Sequence, residues 1–142
     1  FMTDFQAFWR QESDLWRERN GTYADYAESA VVLVLSGVLQ CLVNGRGTIV
    51  REMAIGRRRI DICIFYEGRK YPIEVKACRP GKDSLDTLTH KALDQLAAYL
   101  DQLSLPHGWL LIYHPHPDLT WHERLYTRHL LHQGKSISLI GL

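Results

Sequence analysis

The chain has 142 residues, is 46% hydrophobic and carries a formal charge of +1, so it suits one domain with a real core and leaves no room for a second enzyme. So small a charge argues neither for nor against a nucleic-acid partner. The longest apolar stretch, residues 30–43, is broken by Ser36, Gly37 and Gln40 and is too short to span a membrane, and no signal peptide is expected.

In chain order, residues 3–19 read as a helix with Phe5, Phe8, Trp9 and Trp16 on one side. Those aromatics are expected to cap the domain's own core; the alternative is a homodimer contact or docking onto an upstream domain. Residues 23–43 read as a second helix, ended by Asn44-Gly45, and residues 48–55 as a strand before Gly56. Glu28 falls in line with Val31, Val32 and Leu35, on the face expected to be buried. A carboxylate there needs a compensating partner, such as a metal ion or Lys76, unless it sits partly solvated in the first turn.

Residues 58–66 and 70–77 are β-branched and aromatic runs joined across Glu67-Gly68, the signal of a hairpin with a two-residue turn. In that register Tyr66 faces Arg69 and Asp61 stands opposite Glu74. Lys76, one pleat on, points the same way as Glu74. Ile60, Ile62, Ile64, Ile73, Val75 and Ala77 then form one continuous apolar face, and a one-residue slip would destroy it. Two carboxylates facing each other with Cβ atoms about 5 Å apart repel unless a cation lies between them. Magnesium suits the place, because it accepts one or two carboxylates together with water and phosphate oxygens; manganese is an equivalent choice. A neighbouring lysine can hydrogen-bond an attacking water, so the grouping points to metal-dependent phosphodiester cleavage.

At these residues the chain resembles the PD-(D/E)XK nuclease superfamily, with Asp61 as the first acid and Glu74-Val75-Lys76 as the (D/E)XK half; Ile60 stands where the pattern has proline. Gln95-Leu96-Ala97-Ala98-Tyr99, on a helix read over residues 85–103, matches the Gln-x-x-x-Tyr signature of its RecB-like branch. The stretch from Glu28 to Asp61 also looks like nuclease-like domains attached to AAA-type ATPases. The resemblance implies a restriction-endonuclease-like α/β fold, a mixed central sheet flanked by helices in the order α-β-β-β-α-β. It further implies a magnesium-dependent deoxyribonuclease with Asp61, Glu74, the Val75 carbonyl and Glu28 around the metal. Lys76 would position the water, and Gln95 would assist. A catalytically inactive binding module attached to an ATPase is the alternative.

Tyr99 also fits a plain core stripe with Leu88, Ala92, Leu96 and Leu103. Charge favours a phosphate partner locally: between Arg57 and Lys82 there are eight basic residues against three acids. Arg58, Arg59, Tyr99 and Lys91 are the candidate DNA contacts. An apolar strand at 109–113 follows, then two short ones at 124–128 and 136–140. Gly134-Lys135-Ser136 lacks the upstream glycine of a phosphate loop, with His129 in its place. His114 and His116 have only His129 and His132 as possible zinc partners, at unusual spacing. Cys41, Cys63 and Cys78 are isolated and embedded in apolar runs; they read as buried free thiols, and a cytoplasmic location is expected.

Overall fold

The computed structural model describes residues 2–12, 27–79, 81–115 and 118–142. Two helices, α1 (Met2–Glu12) and α2 (Ala27–Val43), precede a meander of β1 (Gly47–Ile55), β2 (Arg58–Tyr66) and β3 (Arg69–Ala77). Helix α3 (Leu85–Gln102) leads to β4 (His107–Tyr113), a single turn α4 (Trp121–Arg124), and a last hairpin of β5 (Thr127–His132) and β6 (Lys135–Gly141). The six strands form one mixed sheet in the order β1-β2-β3-β4-β6-β5. β3 pairs antiparallel with β2 and parallel with β4, and β4 continues parallel into β6. This is the expected mixed α/β core, helix, three strands, helix, strand, extended by a hairpin.

Tight turns hold the register. Tyr66 pairs with Arg69 across Glu67 and Gly68, whose φ values of 49° and 72° are those of a type I′ turn, matched to the twist of a hairpin. Gln133 and Gly134 do the same between β5 and β6. At Gly108 the constraint is space rather than dihedral: a Cβ there would stand 3.0 Å from Leu100 and 3.2 Å from Leu96, so the glycine lets α3 lie against the start of β4.

Both faces of the sheet are covered. On one, Phe5, Trp9, Val31, Leu35 and Leu39 from α1 and α2 pack on Ile62, Ile73, Val75, Leu111 and Tyr113. On the other, Ala92, Leu96, Tyr99 and Leu100 from α3 pack on Cys63, Leu110, Ile112 and Ile137. Phe5 and Trp9 are buried, with Trp9 edge-on to Tyr113 at 5.4 Å, so the first helix caps this domain's own core while Phe8 is exposed. Trp16 and residues 23–26 lie outside the described residues.

Three expectations are corrected. Ile60 does not share a face with Ile62: it packs on the α3 side, for a reason given below. The strand expected at 124–128 starts later. Thr120 and Glu123 form a capping box, the Glu123 carboxylate accepting the Thr120 backbone N–H at 2.7 Å, and this makes residues 121–124 helical. Cys41 is exposed, because it lies on the outer side of α2, whereas Cys63 and Cys78 are buried. Of the two readings of Glu28, the structure matches the partly solvated one, its side chain 43% accessible at the start of α2. No helix among the described residues is long and apolar enough to cross a membrane.

Candidate active site

The ladder between β2 and β3 runs from Tyr66 and Arg69 to Ile62 and Ile73, and there it stops, so the expected rung placing Asp61 opposite Glu74 on one face is not formed: Asp61 turns instead to the edge of β3. β2 carries on alongside β1 alone, while β3 continues through Val75, Lys76 and Ala77 beside β4. The parting strands leave a notch whose floor is the vacated edge of β3. Backbone N–H groups along such an edge need partners. Carboxylates supply them: Val75 N–H donates to Asp61 Oδ2 at 2.7 Å, and Ala77 N–H donates to Glu28 Oε2 at 3.2 Å. Asp61 and Glu28 therefore meet at the same strand edge, one from β2 and the other from α2.

Glu74 and Lys76 point to the α3 face, between these acids and the helix. Lys76 Nζ lies 2.7 Å from Glu74 Oε1 and 3.8 Å from Glu28 Oε1. Gln95 Nε2 donates to Glu74 Oε1 at 2.5 Å and to Tyr99 Oη at 2.8 Å, and the Tyr99 hydroxyl donates to the Arg59 carbonyl at 2.5 Å. The residues of the Gln-x-x-x-Tyr match thus tie α3 to both the acid on β3 and the backbone of β2. Tyr99 is only 2% exposed. It is a core aromatic whose hydroxyl joins the Gln95–Glu74 network.

Burial sets the electrostatics. Glu74 is fully buried, and loss of solvation together with the charge of Asp61 raises its carboxyl to about 7, against the opposing pull of Lys76. Asp61 is raised as well, by burial first, with the Val75 N–H and Lys76 working the other way. Burial alone would lower the Lys76 pKa, but the charge and hydrogen bond of Glu74, with Glu28 and Asp61 behind them, outweigh it and hold the ammonium above its ordinary value. Glu74 Oε2 is buried and has no hydrogen-bond partner among the described residues. Asp61, Glu74 and Glu28 offer only hard oxygen donors, the type that magnesium and manganese accept. Among the described residues, no group of three or more His, Cys, Asp or Glu is already arranged to hold a metal ion. As it stands the cluster is closed by Lys76, Gln95 and the β3 amides.

A cleft of about 690 Å³ is lined by Arg58, Arg59, Lys91, Asp94, Gln95, Ala98 and Tyr99; of the candidate catalytic residues only Gln95, which donates to Glu74, borders it. All four candidate DNA contacts line it. Glu52 was missed by sequence reasoning: it pairs with Arg59 at 3.1 Å and its charge bears on Asp61. Only its position across the hairpin from Asp61 would have drawn notice.

No protein-family model matches the chain, and no curated protein matches it in sequence. Among solved structures the chain is similar to Pyrococcus furiosus SfsA, determined in complex with Ca2+, at 15% identity and a TM-score of 0.41. The match covers 69% of this chain and 49% of that one, so it spans about half of that protein's length. At this distance the likeness defines neither family nor activity.

Proposed function

We propose that the protein is a metal-dependent nuclease of the PD-(D/E)XK kind that hydrolyses phosphodiester bonds, with DNA as substrate. One observation carries the reading: Asp61, Glu74, Lys76, Glu28 and Gln95 converge from four different elements on one notch, leaving a buried oxygen of Glu74 unpaired. Capping the β3 amides accounts for Asp61 and Glu28 but not for the buried Glu74–Lys76 pair, which costs desolvation and is the kind of perturbed group that clusters at functional sites.

Asp61, Glu74 and the Val75 carbonyl would hold magnesium or manganese, with Glu28 as a further acid at the rim. Such an ion, when bound, lowers the pKa of a water and offsets charge on the phosphate. Lys76, kept protonated by its acidic neighbours, hydrogen-bonds the attacking water and favours its deprotonated form. Gln95 fixes the Glu74 carboxylate, and Tyr99 fixes Gln95. Arg58, Arg59 and Lys91 bind the phosphates on either side of the scissile bond, holding the strand along the cleft.

The absence of a ready-made ligand set among the described residues favours a second reading, a nuclease-fold module that binds nucleic acid or an attached ATPase without cleaving. Incubating the protein with supercoiled and linear DNA, with magnesium or manganese, beside Asp61→Ala and Lys76→Ala, decides between them. Cleavage by the unaltered protein alone supports the nuclease; intact DNA in every lane, with binding that survives both substitutions, supports the module. Size measurement by light scattering tests the homodimer.

A further inference from the structure

Between β1 and β2 the pairing keeps one register from Gly47 and Tyr66 to Ile55 and Arg58, yet one rung is missing, the one that would join Glu52 to Asp61. Glu52 has φ 49°, a left-handed conformation that is unfavourable for an L side chain and unusual inside a strand. The ribbon turns over at this rung. Before it, Ile49 and its partner Ile64 pack on the α2 side; beyond it, Met53 and its partner Ile60 pack on the α3 side. Strict alternation would keep both pairs on one face. The acid at the turning point leaves the face of the sheet altogether and lies in its plane, with its carboxylate on Val75 N–H.

We infer that Glu52 is a positioning residue for the candidate active site: its left-handed backbone turns over the β1–β2 ribbon and so aims Asp61 at the edge of β3. The inference rests on the reading of Asp61 as a functional acid, but its geometric half stands apart from any activity. The device is the backbone conformation and not the carboxylate, since the Glu52–Arg59 pair is exposed on both sides and such pairs contribute little.

The test separates backbone from side chain. Glu52→Gly and Glu52→Asn keep the left-handed region accessible, whereas Glu52→Val opposes it. Hydrogen exchange of the Val75 amide is read in each variant, with Asp61→Ala as the reference for a lost bond, alongside manganese binding by calorimetry. Glu52→Gly and Glu52→Asn are expected to keep Val75 protected to within about twofold. Glu52→Val is expected to exchange roughly tenfold faster or more, as a left-handed penalty implies, and to lose manganese binding in parallel. Should Glu52→Val fail to fold, Glu52→Ala against Glu52→Asn reads the same difference. Equal Val75 protection in the valine and glycine variants, or equal loss in both, overturns the inference. If the unaltered protein binds no manganese while the exchange pattern holds, the nuclease reading fails and the positioning role stands.

Discussion

Asp61 accepts the backbone N–H of Val75, so a side chain takes the place that a neighbouring strand would otherwise occupy. The same bond closes the sheet edge and fixes one acid of the site. Asp61→Asn is expected to keep the fold, because the amide oxygen can still accept from Val75. Cleavage should fall by about 10²-fold or more, the scale on which removal of one electrostatic group acts. Plasmid nicking with manganese, beside a thermal melt, reads both. Undiminished nicking would remove Asp61 from the site.

Glu74 gives the fold a pH dependence of definite sign. Its folded pKa of about 7 stands above the ordinary 4.5, so between those values the folded chain holds more protons than the unfolded one. Stability from this group is complete below pH 4.5 and is lost as the pH rises through 7. The loss is on the order of 3 kcal/mol at about 1.4 kcal/mol per unit. Urea unfolding in metal-free buffer from pH 4.5 to 8 should show it, and Glu74→Gln should flatten it. A profile that is flat in the unaltered protein would contradict the buried charge.

Divalent cations should reverse that loss. Magnesium or manganese is expected to raise the melting temperature more at pH 8 than at pH 5.5, because a cation competes with protons for the same oxygens. Asp61→Ala should abolish the shift. An equal shift in that variant would place the cation elsewhere.

Lys76→Met removes the ammonium 2.7 Å from a fully buried carboxylate. Breaking such a pair costs about 3–5 kcal/mol where the remaining acid must stay charged, and less where it can take up a proton. The variant should therefore be near normal at pH 5 and markedly less stable at pH 8, as followed by urea midpoint. The double variant Lys76→Met, Glu74→Gln should recover stability without recovering cleavage. Equal destabilisation at both pH values would argue that Lys76 acts through packing alone.

The basic side chains of the cleft should act on affinity rather than chemistry. Replacing Arg58, Arg59 or Lys91 by alanine should weaken DNA binding at every sequence and reduce the dependence of log affinity on log salt by about one each, as loss of a phosphate contact does. Fluorescence anisotropy at several salt concentrations measures it. An unchanged slope would leave those residues on an ordinary solvated surface.

The fold was legible where local signals agreed. The Glu67-Gly68 turn set the parity of the β2–β3 hairpin, and the helix-strand order followed from apolar periodicity. The pairing of Gln95 with Glu74 was legible only as a motif spacing. Alternation failed at Ile60, because a left-handed glutamate on the neighbouring strand has no signature in an otherwise regular strand pattern. Between the two readings of Glu28 the sequence could not choose: helical periodicity gives a direction around the axis, but it does not say that a first-turn side chain reaches past the sheet edge. The partner of Arg59 across the hairpin, Glu52, was hidden because nothing in a strand's composition marks which exposed charge faces which.

The place of β3, antiparallel to one neighbour and parallel to the other, also bears on the order in which the molecule assembles. β1, β2 and β3 are joined by two-residue connections, whereas β4 reaches β3 only after the whole of α3 has intervened. Short loops close first, since the entropy lost in closure grows with loop length. The carboxylates are thus brought near one another while still hydrated, and their dehydration waits until the crossover docks. Refolding should consequently run faster in mildly acidic buffer, its late step slowed wherever both acids must enter the interior ionised.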